Sequence, residues 1–70
     1  MKYYISIDCK KLLYTFDNLD RAIIEYYRLN KSEYKNAIEV KNWFLKCLND
    51  NMQGIITEQK NISYILSVVY

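Results

Sequence analysis

The chain has 70 residues, ten basic and eight acidic side chains for a formal charge of +2, and a composition that is 51% hydrophobic and 16% aromatic. This size suits one domain, residues 1–70, and this apolar content excludes a disordered chain. Without histidine and with a single glycine, the sequence also excludes His-based nucleophile pairs and glycine-rich phosphate loops.

The first sixteen residues have the pattern of a β-hairpin. Residues 3–7 (YYISI) and 12–16 (LLYTF) alternate, so that every second side chain shares a face. The polar segment 8–11 (DCKK) is short enough to connect two antiparallel strands. A short helix over residues 10–16 is the alternative.

A first helix is predicted from an N-cap at Asp17 to about Leu29. Asp20 lies near its positive end and Arg28 near its negative end, as the helix dipole favours. Apolar side chains cover about 220° of its circumference, so we expect it to be covered on more than one side. The clean polar face consists of Arg21, Glu25 and Arg28.

A second helix is predicted to begin after Asn30 and to run to about Asn49. With Asn30 as N-cap, Glu33 occupies the N3 position of a capping box. Leu29 and Tyr34 then occupy the two positions of a hydrophobic staple. Both signals choose the same start for the helix.

The second helix interrupts its own pattern at two positions. Rotation at about 100° per residue places Lys41 in the middle of the apolar stripe and Trp43 on the polar side, near Lys46. The stripe predicted to be buried is Tyr34, Ala37, Ile38, Phe44, Leu45 and Leu48. We expect Lys41 to extend its aliphatic stem across apolar surface towards water or a carboxylate. Trp43 either packs against a C-terminal strand or loop, or forms with Val40 and Cys47 an exposed ridge that anchors a partner.

The last part of the chain favours two more strands. Residues 54–59 (GIITEQ) precede a polar turn around residues 59–61, and residues 62–70 alternate with a β-branched and aromatic bias. A C-terminal helix is the alternative. The predicted fold class is therefore α+β, with a small antiparallel sheet, the order β-β-α-α-β-β, and both helices packed on one face.

Little in the sequence indicates catalysis. Cys9 and Cys47 are the only cysteines, no CxxC motif occurs, and the serines and carboxylates are scattered. We therefore predict that the chain is not an enzyme and has no catalytic residues, cofactor or metal site. The N-terminus lacks the pattern of a signal peptide, and no apolar run reaches membrane-spanning length. These features predict a cytoplasmic protein with two free thiols and no membrane partner, with one disulfide between the two cysteines as the alternative.

The remaining class is a recognition module. Eight tyrosines and two wide apolar helix faces exceed what a small core can bury, which favours a binding patch or a homodimer. The predicted partner is a host protein or a protein–nucleic acid complex. The predicted partner-binding residues are Trp43, Val40, Cys47, Lys46, Arg21, Glu25, Arg28 and Tyr4.

The alternative function is a small, dimeric nucleic-acid-binding regulator. Its cations would be Lys2, Lys10, Lys11, Arg21 and Arg28, with Tyr3 and Tyr4 stacking on bases. Dispersed lysines at a net charge of +2 do not form the dense basic patch that such binding usually needs.

Tyrosine, isoleucine, asparagine and lysine account for 32 of the 70 residues, and all four have A/T-rich codons. In size, composition and layout the chain resembles small phage-encoded proteins that block host defences, including anti-CRISPR proteins. The resemblance spans the chain without a shared motif. It implies inhibition by occupying a surface of a host nuclease or surveillance complex.

Overall fold

The computed structural model describes residues 1–8 and 12–69, with the backbone alone at positions 12 and 13. It confirms the α+β fold and the predicted order of elements. The strands and helices are β1 (Lys2–Ile7), β2 (Leu12–Phe16), α1 (Leu19–Leu29), α2 (Ala37–Asn49), β3 (Gly54–Gln59) and β4 (Ile62–Val69). Residues 12–16 form a strand, so the helical alternative for them is wrong, and Cys9, Lys10 and Lys11 lie outside the described residues.

The four strands form one antiparallel sheet in the order β2-β1-β4-β3. The register places Ile5 beside Leu66 and Ile55 beside the same leucine on the other side, so one face of the sheet is continuous and apolar. Both helices cover this inner face. The outer face carries the intervening side chains, and neither α1 nor α2 packs on it.

The core lies between the inner face of the sheet and the two helices. Its aromatic centre is an edge-to-face pair between Tyr3 of β1 and Phe44 of α2, with ring centroids 6.3 Å apart. The buried apolar residues are Tyr3, Ile5, Ile7, Ala22, Ile23, Tyr26, Val40, Phe44, Cys47, Ile55, Leu66 and Val68. Period-2 alternation in the strands and a narrow stripe on each helix supply this set.

The starts of both helices differ from the sequence predictions. The N-cap of α1 is Asn18, whose side chain accepts a hydrogen bond from the Arg21 N–H at 3.1 Å. Asp17 instead forms an ion pair with Lys2 of β1. The N-cap of α2 is Asn36, six residues later than predicted.

Asn30 does not cap α2 because its hydrogen-bonding groups are used elsewhere. It is the C-cap of α1, and its side-chain amide donates to the Tyr26 carbonyl at 3.0 Å. Its side-chain oxygen accepts from Gln59 of β3 at 2.6 Å. Asn36 and Glu39 form the capping motif instead, with the Asn36 side chain accepting from the Glu39 N–H at 2.9 Å.

Helix α2 is also rotated relative to the predicted stripe. The residues that face the core are Val40, Phe44 and Cys47, at i, i+4 and i+7. Ile38 and Leu45, predicted to be buried, are exposed. Hydrophobicity alone centres the arc on Lys41, because Ile38 and Leu45 lie on that side of the helix. In the structure these two are exposed, and the residues that face the core are centred about 90° away from Lys41.

The β3–β4 hairpin confirms the strand prediction for the C-terminal segment. Lys60 and Asn61 form its two-residue turn with φ values of 52° and 63°. Both central residues therefore lie in the left-handed region, as a type I′ turn requires. This turn fixes which backbone groups of β3 face β4.

Candidate functional site: the groove at the β3 edge

An apolar groove of about 360 Å³ runs along the outer edge of β3. It lies where α2 approaches the start of β3 and opens onto the outer face of the sheet. The residues that line it are Trp43, Cys47, Met52, Gln53, Gly54, Ile55, Ile56, Ile65 and Ser67. We call it the β3 groove.

Three large apolar side chains at this groove are half exposed. The exposed fractions are 48% for Trp43, 54% for Met52 and 56% for Ile56. Trp43 precedes the fully buried Phe44 on α2, so its indole is turned away from the core towards β3. The three side chains come from a helix, a loop and a strand, and together they form an exposed apolar patch.

The floor of the groove requires the glycine at position 54. A Cβ built on Gly54 would lie 2.0 Å from the Leu66 carbonyl oxygen and 2.8 Å from the Ser67 Cα. Both are backbone atoms, which cannot move without shifting β4. The missing side chain therefore permits the close packing of β3 on β4 at this position.

The loop before β3 is tied down at both ends. The Met52 N–H donates to the Cys47 carbonyl at 3.0 Å, and the Gln53 carbonyl accepts from the Val68 N–H at 3.0 Å. These bonds attach the loop to the end of α2 and to β4. The wall of the groove that Met52 supplies is thus anchored at the backbone.

The outward edge of β3 carries backbone groups that have no hydrogen-bond partner among the described residues. In a hairpin closed by a two-residue turn, the Gln59–Ile62 pair exchanges both hydrogen bonds, and such pairs recur at every second residue. Gly54, Ile56 and Glu58 therefore turn their N–H and C=O groups away from β4. Within residues 1–8 and 12–69, no hydrogen bond from outside the hairpin reaches the backbone of Ile56 or Glu58.

The inner side of β3 is fixed by buried hydroxyls. The Tyr26 hydroxyl donates to the Tyr64 carbonyl at 2.8 Å, and its oxygen lies 2.6 Å from Thr57 Oγ1. The Tyr34 hydroxyl lies 2.6 Å from the same threonine oxygen. Burial raises the pKa of Tyr26 well above its ordinary value. The phenol therefore stays protonated and keeps the strand attached to α1.

Of the residues predicted to bind a partner, Trp43 lines the β3 groove, and Lys46 and Tyr4 lie near residues that line it. Lys46 is exposed one helical turn after Trp43. Tyr4 is half-buried on the outer face, beside Ser67, which lines the groove. The predicted exposure of Val40 and Cys47 is wrong, because Val40 is fully buried and Cys47 is a buried free thiol. The exposed ridge consists of Trp43 with Met52 and Ile56.

The predicted polar face of α1 does not join this surface. Arg21 lines a hollow beside β2, at the opposite edge of the sheet from β3. Three strand spacings, about 14 Å, separate the two edges. Arg28 pairs with Glu25 at 3.1 Å on the exposed side of α1. Arg21 and Trp43 therefore line different hollows, and Arg21 does not contribute to the β3 groove.

The prediction for Lys41 is confirmed. Its Nζ lies 2.9 Å from Asp20 Oδ1, so the ammonium reaches a carboxylate on α1. Lys41 and Asp20 line a second groove between the helices, with Ile24 and Ile38 on its walls. We call this the α1–α2 groove.

Sequence reasoning missed Met52, Gly54, Ile56 and Ile65 as parts of the site. Ile56 could have been identified from the sequence pattern. In a strand that alternates buried and exposed residues, it is a large apolar side chain at an exposed position. That Ile56 lines the same groove as Trp43 and Met52 depends on the order of the strands, which no local pattern contains.

Comparison with models of protein families, with curated proteins and with solved structures gave no match to this chain. Among residues 1–8 and 12–69, no helix has both the length and the apolar character needed to cross a bilayer. The same described residues contain no cluster of three or more cysteine, aspartate or glutamate side chains placed to hold a metal ion.

Proposed function

We propose that this chain is a non-enzymatic protein-binding module, an inhibitor or adaptor from a phage or mobile element. It acts in the cytoplasm by covering a surface of a host defence protein. The observation that supports this proposal is the β3 groove, with Trp43, Met52 and Ile56 half exposed around it. A contiguous exposed apolar patch on a small domain is typical of a binding site.

Tryptophan suits the centre of such a site. It buries a large area with few rotatable bonds, and it is enriched among residues that dominate binding energy. About half of Trp43 is already buried against the protein, so binding would restrict little additional side-chain motion. A standard interface covers about 800 Å² per partner, roughly one sixth of the 5001 Å² of accessible surface here.

The test is a capture experiment with two matched variants. Ile56→Lys and Ile38→Lys each replace an exposed isoleucine by lysine, the first at the β3 groove and the second at the α1–α2 groove. Both should fold, because surface substitutions cost about 0.5 kcal/mol or less. The immobilised chain and the Ile38→Lys variant should capture the same protein from host lysate. Ile56→Lys should bind it more than tenfold more weakly, a loss of about 1.4 kcal/mol or more.

Equal capture by both variants would contradict the proposal. So would capture that disappears when the lysate is treated with nuclease. That second result would favour the nucleic-acid-binding regulator, for which affinity should fall steeply with salt. Against that alternative, Lys2, Arg28 and Lys41 are each engaged by a carboxylate of the chain.

A further inference from the structure

We infer that the β3 edge binds its partner by strand addition. An extended segment of the partner pairs antiparallel with β3 and places apolar side chains in the β3 groove. This inference rests on the proposed function and specifies the form of the ligand. Three features support it. The outward backbone groups of β3 are open, and the β3 groove can accept side chains from both faces of an added strand. A second copy of this chain would instead place charged side chains beside the groove.

The backbone of β3 offers hydrogen bonds that suit an extended strand. Ile56 and Glu58 each direct an N–H and a C=O away from β4, at alternate positions of a regular strand. Such an edge is a template for another strand, and proteins usually block it with lysine, proline or a bulge. Residues 54–59 (GIITEQ) contain neither lysine nor proline. An incoming strand would satisfy the donors and acceptors of both residues.

The groove accepts side chains from both faces of such a strand. A residue opposite Ile56 or Gly54 would point to the outer face, where Ile65 and Ser67 line the groove. The residue between them, opposite Ile55, would point to the helix side. There it would meet Trp43 and Cys47. The edge therefore favours three consecutive apolar residues in the ligand.

Gly54 is the apolar end of the pairing surface on the outer face. A residue paired with it would lie beside Ile65 and Ser67, which line the β3 groove with it. Glu58 follows Ile56 on the same face of β3 and is exposed. A basic residue opposite Glu58 adds a charge-complementary contact. Read from its N-terminus, the ligand is basic, any residue, then three apolar residues.

A second copy of this chain does not match that pattern. In a two-fold pairing centred on Ile56, Glu58 of the second copy would lie opposite Gly54. Shifting the register by one step in either direction places Glu58 opposite Met52, or Lys60 opposite Gly54. Each register puts a charged side chain beside an apolar groove, and burying it without a partner is costly. The structure therefore favours a strand from a different protein.

The test uses a defined probe, the blocked peptide Ser-Lys-Thr-Val-Leu-Ile-Ser, with the full chain labelled with ¹⁵N. Antiparallel pairing places its valine opposite Ile56 and its leucine opposite Ile55. At saturating peptide, the backbone amides of Ile56 and Glu58 should exchange with solvent at least tenfold more slowly. Trp43 fluorescence should shift with the same titration midpoint.

Two N-methylated peptides distinguish strand addition from simple apolar binding. Methylation of the valine nitrogen removes a hydrogen bond to the Ile56 carbonyl and should weaken binding at least tenfold. The leucine nitrogen points away from β3, so its methylation should change the affinity less than threefold. Equal effects of the two methyl groups, or no peptide binding, would overturn the inference.

Self-association is a further outcome that would overturn it. If sedimentation shows a dimer in which the Ile56 and Glu58 amides are protected without peptide, the β3 edge is occupied by a second copy. The inference and the proposed function also fail separately. Host capture that is lost in Ile56→Lys without any peptide binding would retain the protein-binding module and reject strand addition. Peptide binding with unchanged capture by Ile56→Lys would retain strand addition and reject the proposed function.

Discussion

The rotation of α2 yields a stability prediction that separates the structure from the sequence pattern. The pattern places Ile38 in the core and Val40 at its border, whereas the structure has Val40 fully buried and Ile38 69% exposed. We therefore compare Val40→Ala with Ile38→Ala. Both substitutions truncate a β-branched side chain on the same helix, so changes in helix propensity are similar.

The expected magnitudes follow from burial. Val40→Ala removes two buried methyl groups, worth about 1.6 kcal/mol in transfer free energy, and leaves a small cavity that adds to the loss. Alanine returns about 0.5 kcal/mol through its higher helix propensity. The net loss in the free energy of unfolding is about 2 kcal/mol. Ile38 is about one third covered, so Ile38→Ala should lose about 0.7 kcal/mol of burial and regain most of it as propensity.

Urea unfolding followed by Trp43 fluorescence measures the difference. With a denaturant slope near 1 kcal/mol per M for a chain of this size, Val40→Ala should lower the midpoint by about 2 M. Ile38→Ala should lower it by less than about 0.5 M. If Ile38→Ala proves as destabilising as Val40→Ala, α2 is rotated as the sequence pattern indicates, and the placement of Trp43 at the β3 groove is wrong with it.

Two further predictions concern the buried phenol and the cap of α2. Burial raises the pKa of Tyr26 above its ordinary value of 10.0, so the folded state holds the phenolic proton more tightly than the unfolded chain does. This contribution to stability is complete below about pH 10 and is lost as the pH rises further. Urea midpoints should therefore fall more steeply between about pH 10 and pH 12 in the native chain than in Tyr26→Phe. For the cap, Asn36→Ala should reduce the free energy of unfolding by about 1 kcal/mol, whereas Glu33→Ala should change it by less than about 0.5 kcal/mol. Urea unfolding measures both changes. A larger loss in Glu33→Ala than in Asn36→Ala would place the cap at Asn30.

The strands could be predicted because their signals are local. Alternation of period two in residues 3–7 and 62–69 places one set of side chains on a single face whatever the neighbouring strand is. The polar turn at Lys60 and Asn61 then fixes the hairpin. No information from distant residues was needed for these elements.

The start of α2 could not be chosen by local rules because the sequence contains the same signal twice. Asn30 with Glu33, and Asn36 with Glu39, both have the spacing of a capping box. The first pair also has a staple, which made it the stronger local choice. In the structure, Gln59 donates to the Asn30 side chain at 2.6 Å. A tertiary hydrogen bond therefore decides between two equivalent local signals.

The sequence pattern indicated one residue of the candidate site, Trp43, but not the residues around it. Trp43 stood out because it breaks the helical pattern, and the structure leaves half of it exposed. Its neighbours Met52 and Ile56 follow from the position of β3 at the edge of the sheet. That position depends on β4 pairing with β1 at the centre, a contact between the two ends of the chain.

The buried polar network connects the correction at Asn30 to the function proposed for β3. Gln59 donates both to Asn30 and to the Leu29 carbonyl, and Thr57 contacts the hydroxyl of Tyr26. These contacts hold β3 from its inner side and leave its outward backbone groups open. A strand fixed in this way loses little conformational entropy when a ligand pairs with it, so more of the contact energy appears as affinity. The same asparagine that ends α1 therefore helps to keep the β3 edge ready for binding.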